Sequence, residues 1–284
     1  MDARIAVVAA ALLFSTGGAA IKLASLSSAQ IAGLRSGIAA LALVALLPAC
    51  RPRFDRRILA VGLAHAATLM LFVSANRLTT AANAIFLQMS APLYVLALGP
   101  RLLGEPTQRG DLARIAAIAL GMTLFFVAAD TASATSPDPW RGNLCAAASG
   151  VTWALTLVGL RWAASRASGP DSDPAGQAVV VGNVIACAAC APFVLPLHAG
   201  GLDWAVVAYL GVFQVGVAYL CLTRGMRRLR ALEVSLLLAL EPVASTLLAW
   251  AVHGERPAPA ALAGSALILA ASLSQSLRAA PQPT

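Results

Sequence analysis

Charge is what this sequence has least of: Asp, Glu, Lys and Arg make up 11% of its 284 residues, against about 25% in a soluble globular domain. It also lacks any hydrophilic stretch long enough to fold as a separate domain. With 59% hydrophobic residues and a mean hydropathy of +0.79, a soluble globule is excluded. Aromatics are few, at 6%, and no basic, aromatic-interleaved face accompanies the net charge of +8, so a nucleic-acid partner is not expected. Cysteine is sparse as well. Of the five, Cys187 and Cys190 form a C-x-x-C inside an apolar run, with no basic neighbour and no second ligand pair, which argues against redox or metal use. A His-Glu-x-x-His pattern and convergent acid and base pairs are also missing, so no enzyme, cofactor or metal site is expected.

What the sequence has in abundance is apolar runs of about 20 residues, each long enough to cross a hydrocarbon core of roughly 30 Å. Breaking the chain at its charged, Pro-rich and Gly-rich stretches gives ten expected spans, at roughly 4–24, 29–49, 57–76, 81–103, 110–130, 141–163, 175–197, 203–223, 231–253 and 258–277. The first resembles a signal peptide in its leading Arg4 and trailing small residues, but further spans of the same kind follow and it reads as an uncleaved helix. Cations set the orientation, because Lys and Arg are retained in the cytoplasm. With the N terminus inside, Arg51, Arg53, Arg56, Arg57, Arg101, Arg109, Arg161, Arg166, Arg224, Arg227, Arg228 and Arg230 fall at cytoplasmic ends, while the outer ends hold only Lys22, Arg77, Arg141 and Arg256. Both termini are expected in the cytoplasm.

The chain also repeats itself. Pro92, Gly104 and Glu105 recur in register as Pro242, Gly254 and Glu255, and the aromatic-then-cation pair Phe14 and Lys22 recurs as Trp153 and Arg161. The hydrophilic gap Ala132–Arg141 divides the spans into five and five. The expected units are therefore a first repeat over 1–131, an external loop over 132–140 and a second repeat with a short tail over 141–284. Because five is odd, the second repeat enters the membrane from the opposite side, an inverted repeat of the kind that lets two halves exchange roles around a shared central site. The fold class is an all-α polytopic membrane protein of ten transmembrane helices in two inverted five-helix repeats.

These residues carry a resemblance. The five-span repeats ending in a Pro-containing helix and Gly-Glu, the Leu240-Glu241-Pro242-Val243 run, Gly142-x-Leu144 with Trp153-Ala154 further on, and Arg35 in the second span resemble the EamA family of the drug/metabolite transporter superfamily over essentially the whole chain. Within that family the chain looks most like the YddG-type bacterial exporters of aromatic and other amino acids. The resemblance implies export across the bacterial inner membrane and a central cavity lined by the first, third, fourth, sixth, eighth and ninth helices. The first repeat reads Ser90-Ala91-Pro92 where the second reads Leu240-Glu241-Pro242, so only one half carries an acid beside its proline.

Glu241 falls near the bilayer midplane, where an ionised acid costs roughly 2.5 to 3.5 kcal/mol on insertion scales. Three roles are open to it: hydrogen bonding to backbone freed by the proline, holding a substrate ammonium, or carrying a proton. Pro92 and Pro242 lack an N–H and push away the carbonyl four residues back, which leaves Gln88 and Leu238 as expected unpaired acceptors and makes both prolines candidate gating breaks. Polar stripes supply the other cavity candidates: Ser15 and Thr16 on the first span; His65, Thr68 and Phe72 on the third; Asn83, Ser90 and Tyr94 on the fourth; Thr152 and Trp153 on the sixth; Gln214 on the eighth; and Ser245 beside Glu241 on the ninth. Each is also open to a reading as interhelical glue. Arg35 reads as a structural pair or interfacial anchor rather than a substrate contact.

The expected function is a secondary carrier exporting aromatic and other small zwitterionic metabolites by alternating access. Its partners are then the amino-acid substrate and the lipid bilayer, with a monomer as the simplest assembly. Carriage of a sugar, nucleotide-sugar or organic cation is the alternative, and a channel a more distant one. Phosphate-bearing solutes would want several midplane cations, which the sequence lacks.

Overall fold

The computed structural model describes residues 2–50, 55–102, 113, 116–117, 119–121, 123–124, 133–167, 172–229, 231, 234, 237–238, 240–256 and 259–279, excepting the side chains of 48, 261, 268 and 272–279. Its helices are α1 (Ala3–Ser15), α2 (Gly17–Leu23), α3 (Ser28–Leu46), α4 (Arg56–Leu78), α5 (Ala81–Gln88), α6 (Ala91–Leu102), α7 (Pro139–Ala164), α8 (Pro174–Cys190), α9 (Gly201–Tyr209), α10 (Ala218–Met226), α11 (Leu240–His253) and α12 (Pro259–Ala279). A π-helical stretch, Leu210–Val217, joins α9 to α10.

Seven helical segments among the described residues are long and apolar enough to cross a membrane: Ala3–Leu23, Ser28–Leu46, Arg56–Leu78, Ala81–Leu102, Pro139–Ala164, Pro174–Phe193 and Gly201–Met226. The expected ninth and tenth spans correspond to α11 and α12, and the fifth, 110–130, lies largely outside the described residues. Many large apolar side chains face outward, although others pack into a buried core. Leu41 is 74% exposed and Leu63 53%, while Arg35, His65, Asn76 and Asn143 are buried, the distribution of a protein whose solvent is lipid. This is a multi-pass membrane protein.

Short polar signals start the helices. Ser27 and Gln30 form a reciprocal capping box at α3, and Asp2, Asp55, Thr80, Asp138 and Asp173 cap α1, α4, α5, α7 and α8, the last two with proline at the first helical position. Close approach of backbones then packs the helices. A Cβ on Gly182 of α8 would stand 2.7 Å from the Gly62 carbonyl of α4, so only glycine lets these two helices touch there.

Hydrogen bonds between helix ends define two faces. On one, Lys22 at the end of α2 donates to the Thr79 carbonyl at 2.9 Å and to that of Thr135, and the Asp138 N–H donates to the Leu78 carbonyl at 3.0 Å. On that face Ala81 N–H also reaches Glu255 Oε2 at 2.9 Å, Gln30 reaches the Val194 carbonyl at 2.9 Å, and Asp203 accepts from Ser25 N–H at 2.7 Å. The opposite face is tied by Arg161 to the Met226 carbonyl at 2.8 Å and by the Arg227–Asp173 ion pair at 3.2 Å. The first span therefore ends where α7 begins, α3 begins where α8 ends, α4 ends where α9 begins, and α5 begins where α11 ends. Each of these four helical segments runs antiparallel to its counterpart in the second half.

The packing is reciprocal too. The α4 helix lies against α7 and α8, as the α9–α10 segment lies against α1 and α3, while α5 and α6 lie on α7 as α11 lies on α1 and α2. The counterparts α3 and α8 touch each other, and so do α5 and α11.

Candidate functional site

Where the two halves cross, a small internal cavity is lined by side chains from both. Its shape follows from three interruptions of helical geometry. At the α1–α2 junction, the Ser15 and Thr16 hydroxyls donate back to the Leu12 and Leu13 carbonyls, each at 2.7 Å, which loosens the helix beside Phe14. At the α5–α6 junction, Pro92 follows a turn in which the Leu87 carbonyl accepts from both Ser90 N–H at 3.2 Å and Ser90 Oγ at 2.7 Å. Gly150 of α7 seats against this turn, where a Cβ would lie 3.1 Å from the Leu87 carbonyl and 3.2 Å from that of Gln88. The third interruption is the π-helical stretch, which carries Gln214 into the cavity.

One wall is aromatic. Phe14, Trp153 and Tyr219 pack edge to face, with centroid separations of 6.2 Å for Phe14–Trp153, 5.0 Å for Phe14–Tyr219 and 6.0 Å for Trp153–Tyr219. The polar wall has Arg35 and Gln214 held together, Arg35 Nη1 donating to Gln214 Oε1 at 3.1 Å and Arg35 Nη2 to the Leu69 carbonyl at 3.1 Å. Glu241 and Gln88 complete the lining with Thr68 and Phe72. The Glu241 carboxylate is 4% exposed and makes no hydrogen bond or ion pair among the described residues. At about 30 Å³ the cavity has room for roughly one water, so a larger solute fits only when spans part.

Of the expected cavity residues, Thr68, Phe72, Trp153, Gln214 and Glu241 line this space. His65 stands one ring away, its centroid 4.5 Å from that of Tyr219 and its Nε2 3.2 Å from Asn183 Nδ2. The others are placed elsewhere. Asn83 lies at the start of α5, its amide 3.4 Å from Thr79 Oγ1 and 3.5 Å from Asn143 Oδ1, where it ties three helices together. Ser15 and Ser90 spend their hydroxyls on the helix bends. Thr16 accepts from Tyr209 OH at 2.9 Å, Thr152 is half-buried and bonded back to the Ser149 carbonyl at 3.1 Å, Tyr94 packs on the apolar core, and Ser245 lies under Gly18. A stripe at helical spacing identifies the buried face but not which third of the membrane each residue occupies.

The prolines mark real interruptions, with one correction. Leu238 is not an orphan acceptor, because its carbonyl takes the Glu241 N–H at 2.9 Å in a tighter turn. Arg35 is also no interfacial anchor; it is 1% exposed and lines the cavity. Phe14, Gln88 and Tyr219 were likewise absent from the expected set. Phe14 was findable from its register match to Trp153, and Gln88 from its position one turn before Pro92, whereas nothing in the sequence separates Tyr219 from the other two tyrosines.

A cavity of mixed polar and aromatic character between antiparallel helices of the two halves fits a membrane transporter of small solutes. Residues 3–127 and 140–276 each match the EamA-like transporter family, so the chain belongs to that family and carries two copies of its repeat. Among solved structures 24 chains match. One, titled "Crystal structure of protein", superposes with a TM-score of 0.70 at 24% identity, covering 98% of this chain and 99% of that one, which fixes the fold alone. Comparison with curated proteins gives no match.

Proposed function

We propose that the protein is a secondary carrier that exports amino acids, aromatic ones among them, from the cytoplasm in the manner of the YddG-type exporters. Its ten spans form two inverted five-helix repeats. The observation that carries this reading is the buried Glu241 carboxylate, without a partner among the described residues and beside an aromatic wall. A carboxylate in that position has a use for a solute ammonium, and Phe14, Trp153 and Tyr219 offer a surface for an apolar or aromatic side chain. A nucleotide-sugar or sugar phosphate is disfavoured, since Arg35 is the one cation among the described residues that line the cavity.

The antiparallel helix pairs supply a mechanism of alternating access, in which the same site opens first to one face and then to the other. The face bearing Arg56, Arg57, Arg161, Arg166, Arg224 and Arg227 is cytoplasmic, together with both termini, and the face closed by Lys22 and Glu255 is external. We take the membrane to be the bacterial inner membrane and the working unit to be a monomer.

The test is efflux and counterflow from proteoliposomes with a labelled panel of aromatic, aliphatic and charged amino acids, sugars and organic cations. Trans-stimulated exchange of aromatic or aliphatic amino acids is the expected result. Exchange of sugars or organic cations alone would replace the substrate assignment, and flux without trans-stimulation would make the protein a channel.

A further inference from the structure

The structure leaves one cavity cation whose bonding is incomplete. Among the described residues Arg35 reaches neutral acceptors only, the Gln214 amide oxygen and the Leu69 carbonyl, and its Nε is buried with no partner there. A guanidinium has five N–H donors in a rigid fork, and a purely structural arginine in lipid would be expected to have them filled. Two features hold this fork in place. Gly17 clears room for the Gln214 amide, since a Cβ there would lie 2.7 Å from Nε2, and the π-helical stretch aims Gln214 at Arg35. Arg35 is thus braced through its two outer nitrogens while Nε is left over.

We infer that Arg35 docks the substrate carboxylate, so that the site takes an α-amino acid by both ends, with the carboxylate at Arg35, the ammonium at Glu241 and the side chain against Phe14, Trp153 and Tyr219. This rests on the amino-acid reading above and adds to it which group meets the acid end. A planar carboxylate suits a guanidinium fork better than a point charge would. A dianionic phosphate does not suit it, because a single cation already sharing two donors would face both the dianion and Glu241. Neither charged group forms an ion pair within the described structure, so each is open to one end of a zwitterion in the cavity they both line.

The experiment is competition against labelled phenylalanine counterflow in proteoliposomes by unlabelled phenylalanine, by phenethylamine, which lacks the carboxylate, and by 3-phenylpropionate, which lacks the amine. In the wild type, phenethylamine should compete at least about tenfold more weakly than phenylalanine, as expected for loss of a hydrogen bond to a charged group. In Arg35→Gln that difference should disappear, with phenethylamine competing as it does in the wild type, and Arg35→Lys should recover part of the preference. Equal competition by phenylalanine and phenethylamine in the wild type overturns the assignment without reference to any variant. Equal weakening of both by Arg35→Gln also overturns it. If the wild type exchanges no amino acid at all, the functional reading itself falls, and the assignment with it.

Discussion

Phe14 and Trp153 meet edge to face, with ring centroids 6.2 Å apart and planes at 85°. They are the same position of the two repeats, one on α1 and one on α7, and the antiparallel crossing brings them together at the cavity. Both rings are buried and both touch Tyr219. The duplication thus supplies the aromatic wall, while the acid comes from one half only.

The first prediction concerns that wall. Trp153→Ala should raise the KM for phenylalanine about two- to tenfold, from the roughly 0.5 to 1.5 kcal/mol of an aromatic pair, and should change the KM for alanine much less. Kinetics of both solutes in proteoliposomes check this, and an equal rise for the two would make Trp153 a packing residue.

The second concerns the ion pair between Lys22 and Glu255, 3.0 Å apart with side chains 5% and 4% exposed. Losing one partner of a buried pair leaves the other uncompensated, at about 3 to 5 kcal/mol, whereas losing both costs far less. Lys22→Met and Glu255→Leu should each lower the melting temperature in detergent, and the double variant should recover most of the loss. Additive losses would show the pair to be energetically uncoupled.

A third prediction follows from the bend at Ser90 and the turn at Glu241. Pro92→Ala and Pro242→Ala each restore a backbone donor, so a straighter and stiffer helix should slow turnover several-fold with expression retained. Turnover at the wild-type rate in both would make the prolines packing features.

The fourth uses a native thiol. Burial, and then the Asp173 carboxylate 3.5 Å from Sγ, push the Cys50 thiol up to about 12. With Cys50 as the sole cysteine, alkylation should be slow at neutral pH and rise steeply above pH 9, since the thiolate is the nucleophile. Asp173→Asn keeps the cap on α8, removes the charge and should speed alkylation at a given pH. Unchanged rates would mean that burial alone sets the reactivity.

Much of this architecture was legible in the sequence. Apolar runs of membrane length, the Pro and Gly-Glu register and the Phe14–Trp153 match gave the all-helical class, the duplication and the EamA resemblance, because each depends on spacing along one chain. The site was only partly legible. Trp153, Gln214 and Glu241 stood out as polar or amphipathic residues deep in apolar runs. Asn83 and Thr152 looked equivalent to them on a helical wheel, yet Asn83 sits at a helix start and Thr152 turns back on its own helix. The bracing of Arg35 depends on a π-helical stretch whose Gln214 lies 179 residues away in sequence, and no local pattern announces such a stretch.

Alternate opening of one cavity to both faces is tested most directly by Thr68→Cys in an otherwise cysteine-free protein, because Thr68 lines the cavity. A membrane-impermeant thiol reagent should label this cysteine in sealed right-side-out vesicles and equally in inverted ones, and saturating phenylalanine should slow labelling from either side. Labelling from one side alone, or labelling that phenylalanine leaves unchanged, would contradict alternating access through this cavity.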